Sequence, residues 1–512
     1  MHSAGFFVCE LARDRLKYAV MFAVGLALWV LQTPSNLGPM EDISKDLSPL
    51  LSIPKEVQLV GVGEATHGSR EIFQMKDRIF RFLVEKRGFT VLLMESSLPA
   101  TIPMDEYVTQ GKGKVEDVVK GQGFWTWSTE ELRDLLVWMR QYNLDPKHTR
   151  KLRVVGVDCQ NEMAIFSHLV EAFKEAGLKE YPPLNDPTWK FTYLRKLEEA
   201  GPSGRLYSRQ PLIDLMSKTI DEAAPKLSRE RLAMARQVGN SYAQFWSIIE
   251  PEYLREDRDN LMVALKGDSE SLSKALQGAM EIKDLSAESR SVIKALMALQ
   301  GSGKPTFSSK DLRVTAKELE SKGGEHALAV SLLQLFAINL ELSTLPKIPR
   351  EPAMAANTRW ALKTYLPGQK AMIWAHNSHI GTTYDSGKPL MLGAYLKEDW
   401  GSKYFPIGIA FGSGGFNAVG SQGTIESFEV GPPKEGSFDL ALSQAGKEVG
   451  FLNFDKANEE TKRWLSLSHP WRNIGSSYYP TQAERFYEPL KPRELFRGLV
   501  FLNKVTPSRL LK

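Results

Sequence analysis

The feature that most constrains this chain is an alternation of short apolar runs with longer amphipathic stretches from residue 55 onward. Val57–Gly63 (VQLVGVG), Thr90–Met94 (TVLLM), Leu152–Val157 (LRVVGV), Ala371–Ala375 (AMIWA) and Tyr404–Phe411 (YFPIGIAF) read as buried strands. Between them, Ser69–Arg87 places Ile72, Met75, Ile79, Phe82 and Leu83 on one helical face, and Glu130–Tyr142 and Glu162–Ala176 also read as helices. Strands alternating with helices predict an α/β fold, a mainly parallel sheet flanked by helices. Residues 181–345 change character: rich in Lys, Glu, Leu, Ala and Ser, they read as an all-helical insertion. Strand-like runs then return and end with Leu499–Asn503. The expected organisation is an α/β catalytic domain in two parts, 40–180 and 346–512, with the insertion 181–345 beside its active-site cleft.

Composition narrows the function classes. With 42% apolar and 25% charged residues over 512 positions, the chain is neither disordered, collagenous nor multi-span. A net charge of +4 is too small for charge-driven nucleic-acid binding. Two cysteines, Cys9 and Cys159, exclude a disulfide framework and a cysteine-built metal cluster. Eight histidines remain as the scarce residues with chemical capacity.

At the N-terminus, Arg13, Arg15 and Lys17 precede the apolar run Tyr18–Leu31 and the turn-like Thr33-Pro34-Ser35-Asn36. This is the layout of an export signal, and the run is shorter than the roughly 20 residues of a membrane-spanning helix. Residues 1–36 are therefore expected to be an export signal or a retained membrane anchor, attached through 18–31. The protein would be exported, periplasmic or held at the cytoplasmic membrane.

Four of the strands run into polar residues. The first leads into Gly63-Glu64-Ala65-Thr66-His67-Gly68, the second ends at Glu95, the third at Asp158, and AMIWA leads into His376-Asn377-Ser378-His379. In an open parallel α/β sheet, ligands bind outside the carboxyl ends of the strands, so these groups should converge on one crevice. Each has a plainer reading. Gly61–Thr66 nearly matches a dinucleotide fingerprint, but Thr66 replaces its third glycine. Glu64 and Thr66 can cap the helix near Ser69, and Asp158 can start a turn. Glu95 is harder to dismiss, because a carboxylate ending an apolar run needs a partner. His376-x-x-His379 resembles a metal-ligand pair, yet no HExxH motif accompanies it. His148, His168, His326 and His469 have ordinary surface, helix or loop settings. No G-x-S-x-G elbow and no P-loop occur: Gly301-Ser302-Gly303-Lys304 ends in Pro305. Nothing near Cys159 marks it as an activated thiolate. Histidine and carboxylate chemistry on water remains.

These residues resemble the erythromycin esterase family. The likeness rests on Gly63–Gly68 with Glu71, Lys76, Arg81, Gly88-Phe89 and Glu95, then Trp127-Ser128 through Trp138–Asn143 and Gly156-Val157-Asp158. It continues with Arg350 and Met354–Asn357, Trp374–His379, Leu392–Leu396, Tyr404–Gly415 and Arg493–Leu502. It spans roughly residues 40–505 with its motifs in order. The resemblance implies an α/β fold with a helical domain beside the cleft, and hydrolysis of an ester such as a macrolide lactone. By position, His67 would be the general base, Glu64 and Glu95 the acidic partners, and His376 and His379 the histidine pair. Lys76 stands where family members often carry Arg, which keeps the charge and loses bidentate contact.

The expected mechanism follows. His67, polarised by Glu64 or Glu95, takes a proton from water attacking an ester carbonyl. His376 or His379 donates to the oxyanion, while Lys76, Glu71, Asp158 and Trp127 meet the substrate. No cofactor is required and the partner is a small ester or lactone. Two rivals stand beside it. One is a metal-dependent hydrolase with His67, Glu95, His376 and His379 as ligands. The other is a non-catalytic exported protein binding a polyketide or saccharide.

Overall fold

Leu59–Val62 (β2) is buried at every position, as a strand covered on both faces must be. The computed structural model describes residues 37–162, 164–181, 210–265, 269–298, 305–344 and 349–511. The expected export signal or anchor thus lies outside the described residues, as does part of the expected insertion. The chain divides into two units, Met1–Met163 with Glu351–Lys512, and Ala164–Arg350.

The first unit is built on a nine-stranded sheet. In chain order the other strands are β1 (Met40–Asp42), β3 (Val91–Ser97), β4 (Arg153–Asp158), β5 (Ala371–Trp374), β6 (Tyr404–Val419), β7 (Ile425–Val430), β8 (Val449–Asn453) and β9 (Gly498–Val505). Their spatial order is β1-β8-β9-β6-β2-β5-β3-β4, with β7 paired to β6. From β9 to β4 every pairing is parallel, while β1, β8 and β7 are added antiparallel. The mainly parallel sheet expected from the alternation is therefore present. Because β2, β5 and β3 are adjacent and parallel, their carboxyl ends open on the same side, which brings Glu64, His376 and Glu95 together.

The second strand runs longer than its apolar stretch. The β3–β4 register shifts between Met94 and Ser97, a local irregularity that carries the strand past Glu95 to Ser97.

Helix α1 (Arg70–Arg87) follows β2 and ends in Gly88 at φ 69°, a left-handed C-cap that glycine adopts without strain. Its buried stripe comprises Ile72, Met75, Lys76, Ile79 and Leu83, so one lysine occupies a core position. Ser69 is its N-cap and makes no side-chain cap bond. The capping reading of Glu64 and Thr66 does not hold: Glu64 faces His67, and Thr66 Oγ1 lies 3.4 Å from Gly475 O.

The second unit carries helices and no strand among its described residues, with Ile165–Glu175, Gln210–Ala223, Arg229–Ala264, Ser269–Met280, Ala287–Met297, Ser309–Glu320 and Ala327–Thr344. Leu276, Ile293, Leu312, Leu319 and Leu333 form one of its apolar clusters.

Candidate active site

The loop after β2 is held so tightly that both of its glycines are required. A Cβ on Gly63 would stand 2.0 Å from Asn377 Oδ1, and one on Gly68 would stand 1.9 Å from Asn417 O. Asn377, in the short helix α2 (Asn377–Ile380), holds both backbone groups of Ile409 on β6, at 2.8 and 3.0 Å. Asn377 N also donates to Glu64 O at 3.0 Å. The loops after β2 and β5 are thus fixed to each other and to the neighbouring strand.

Glu64 is fully buried and takes three donors. Lys76 Nζ, itself fully buried, contacts Oε2; Trp374 Nε1 donates to Oε2 at 3.0 Å; His67 Nδ1 lies 2.6 Å from Oε1. Burial pushes the Glu64 carboxyl up, but Lys76 and His67 outweigh it and the net shift is downward. Burial likewise lowers the Lys76 ammonium, to about 8, against the pull of Glu64. An ionised carboxylate only accepts hydrogen bonds, so His67 Nδ1 carries hydrogen, which in the neutral form of the ring leaves the lone pair on Nε2. The His67 side chain retains 12% exposure.

His376 carries its hydrogen on the other nitrogen. Its Nδ1 accepts the Ser378 backbone N–H at 3.3 Å and lies 2.8 Å from Ser378 Oγ. A backbone N–H can only donate, so Nδ1 is bare and Nε2 bears the hydrogen. Nε2 is buried with no hydrogen-bond partner among the described residues. Gly475, at φ 71°, faces it: a Cβ there would come within 3.9 Å of Nε2. Burial first, then the nearby His67, push His376 down to about 3, so it is neutral near neutral pH. The His67 and His376 rings lie 5.1 Å apart, centre to centre.

Glu95 braces this pair from behind. Its Oε2 accepts the His376 N–H at 2.7 Å, and its Oε1 lies 3.2 Å from His379 Nε2. His379 Nδ1 lies 2.9 Å from Glu351 Oε1, so both ring nitrogens meet carboxylates. Glu351 also accepts the Leu392 N–H at 2.9 Å. Trp127 walls the cluster, with its indole N–H on Glu95 O at 3.0 Å and its ring 6.1 Å from His67.

His67, Glu64, Glu95, His376, His379 and Trp127 are therefore brought together. Lys76 joins them differently from the expectation: it is sealed beneath Glu64, with Ala375 O at 3.1 Å as a further acceptor, and does not face a ligand. Glu71 is not part of the cluster. Both of its oxygens hold Thr506, at 2.5 Å from the backbone nitrogen and 2.7 Å from the hydroxyl. Asp158 ends β4, and its carboxylate accepts the Cys159 N–H at 2.7 Å. Residues missed from sequence are Glu351, Trp374 and Gly475. Trp374 was signalled by an indole N–H inside an apolar run, which needs a buried acceptor.

Of the four residues considered as metal ligands, His379 meets carboxylates at both ring nitrogens, and Glu95 accepts the His376 N–H. Among the described residues no group of three or more His, Cys, Asp or Glu side chains is placed to hold a metal ion.

The family model described as erythromycin esterase matches residues 84–505. YbfO of Bacillus subtilis (strain 168) is 22% identical over 499 residues, spanning 94% of this chain and 92% of its own. The erythromycin esterase type II of Escherichia coli is 21% identical, spanning 83% of this chain and 88% of its own. Among solved structures, a Bacillus cereus protein superposes with TM-score 0.53 at 23% identity, covering 94% of this chain and 96% of that one. A succinoglycan biosynthesis protein superposes with TM-score 0.54 at 21% identity, covering 95% and 99%. Both share the fold.

Proposed function

Because the chain belongs to the erythromycin esterase family, we propose that it is a hydrolase that cleaves an ester or macrolactone with a water activated by His67. The observation that supports this most is the opposite contact at Nδ1 of two neighbouring imidazoles, a carboxylate at His67 and a backbone N–H at His376, which in the neutral rings leaves Nε2 bare on His67 and hydrogen-bearing on His376. Water between them and a carbonyl carbon loses its proton to His67 Nε2 as its oxygen bonds that carbon. The carbonyl oxygen takes the negative charge and accepts the His376 Nε2–H. When the tetrahedral species collapses, the ester C–O bond breaks and the alkoxide takes the proton back from His67. The products are an acid and an alcohol.

Glu64 holds His67 in the required tautomer and stabilises its cation, and Lys76 keeps Glu64 ionised. His379 is occupied at both nitrogens and holds Glu95, which in turn holds the His376 backbone. The oxyanion donor is therefore His376, and His379 positions it. An export segment at 1–36 would place this reaction outside the cytoplasm or at its membrane, a reading that cell fractionation checks.

The experiment is mass spectrometry of macrolides, other lactones and simple esters incubated with the protein, scored for gain of one water. Turnover by the parent chain that disappears in His67→Asn supports the reading. Undiminished turnover in that variant, or no turnover of any ester or lactone, overturns it.

A further inference from the structure

The two carboxylates that flank His379 fix more than its orientation. Its Nε2 lies 3.2 Å from Glu95 Oε1, and its Nδ1 lies 2.9 Å from Glu351 Oε1 and 3.1 Å from Glu351 Oε2. All three side chains are nearly sealed from solvent, with 6% of Glu95, 2% of Glu351 and 12% of His379 exposed.

A neutral imidazole has one N–H and one lone pair. Were His379 neutral between two ionised carboxylates, a nitrogen lone pair would face a carboxylate oxygen with no hydrogen between them. Two buried negative charges would also stand there without a cation. Both contacts are hydrogen bonds only if the triad holds one further proton, and three groups compete for it. Glu351 lies in the first turn of the helix Arg350–Trp360, where the helix dipole favours its ionised form, and its Oε2 accepts the Leu392 N–H at 2.9 Å. Glu95 Oε2 accepts the His376 N–H at 2.7 Å, and Glu95 interacts with the Lys76 ammonium. An imidazole is in water roughly a hundred-fold stronger a base than a glutamate carboxylate. The proton therefore resides on His379. The neighbouring His376, with its ring centre 6.4 Å away, stays neutral: burial first, then His67, and in smaller part His379 push it down.

We propose that His379 is an imidazolium in the resting protein, locked between Glu95 and Glu351, and that its charge offsets one of the two carboxylates behind the oxyanion donor His376. The catalytic half of this rests on the hydrolase reading; the charge state does not. With the cation the triad carries a single net negative charge, and without it a double one. An oxyanion developing on His376 is repelled less by the single charge, so His379 lowers the barrier through its neighbour and not by touching the substrate.

The test is 15N NMR of the full-length protein labelled at its histidine ring nitrogens, recorded at pH 8, where an ordinary histidine has lost its proton. His379→Gln identifies the His379 signals, or Glu351→Gln if the first variant does not fold. His379 should show two hydrogen-bearing nitrogens, and His376 one. A bare nitrogen on His379, whether from a neutral ring, a protonated glutamate or a bound metal, overturns the proposal. On any ester the parent hydrolyses, His379→Gln keeps a donor and an acceptor but not the charge. It should lower kcat by roughly ten-fold or more with KM little changed. Circular dichroism shows that the variant is folded, and unchanged kcat in the folded variant overturns the catalytic half. If no ester is turned over, the hydrolase reading fails and the spectrum still decides the charge state.

Discussion

His67 and His376 stand with ring centres 5.1 Å apart and make opposite contacts at Nδ1, a carboxylate oxygen at one and a backbone N–H at the other. Neither contact depends on a substrate being bound.

His67→Asn should lower kcat by at least ~10²-fold, with no change in secondary structure, because it removes the base and leaves the fold's contacts largely in place. Steady-state kinetics on the best ester found by mass spectrometry checks this. His376→Leu should cost a further class of transition-state stabilisation, about 10²–10³-fold in kcat, with KM little altered. His376→Gln, which can still donate, should recover part of it.

The buried Glu64–Lys76 pair calls for a double-mutant cycle. Glu64→Gln and Lys76→Met each strand one buried partner and should each cost about 3–5 kcal/mol in urea unfolding. The double variant should cost clearly less than the sum, because no uncompensated charge is left. Its activity should stay low, since His67 Nδ1 has lost its anionic acceptor. Additive stability effects would mean that the pair is not coupled as the geometry requires.

Acid stability carries the mark of His376. Its folded pKa, pushed from 6.5 to about 3, lies below the unfolded value, so its contribution is present above pH 6.5 and lost as pH falls towards 3. In that window the unfolded chain takes up the proton and the folded one does not. Between pH 6.5 and 4.5 the parent should lose about 2 kcal/mol more stability than His376→Gln, which cannot titrate. Parallel urea melts at the two pH values give the comparison.

Glu351 tests the outer brace. Glu351→Gln should lower kcat with KM unchanged, because His379 loses its anionic partner on Nδ1 and holds Glu95 less firmly. If kcat is unchanged while Glu95→Gln reduces it, His379 is anchored well enough by Glu95 alone.

Much of this site could be read from strand ends. The apolar runs before Glu64, Glu95 and His376 lie on adjacent parallel strands, so topology alone brought those three together. What escaped has physical reasons. Lys76 looked like a ligand contact, yet it falls on the stripe of Ile72, Ile79 and Leu83, where a helix buries whatever it carries. Glu351 begins a helix after a long insertion, and no local pattern distinguishes it from a first-turn carboxylate. Glu71 is such a carboxylate, and its work is to hold Thr506. Gly475 has no side chain to advertise a role; only its place in front of His376 shows one.

The backbone around the first motif is secured by a segment more than four hundred positions away. Arg70 N donates to Thr506 O at 2.9 Å, Ser508 N donates to Gly68 O at 2.8 Å, and Asn417 Nδ2 holds Ser508 O at 2.7 Å. A nascent polypeptide that has emerged only as far as residue 505 already contains every histidine and carboxylate of the cluster. It still lacks the clasp beside His67. The loop that carries His67 is thus held by residues that lie outside every motif of the cluster.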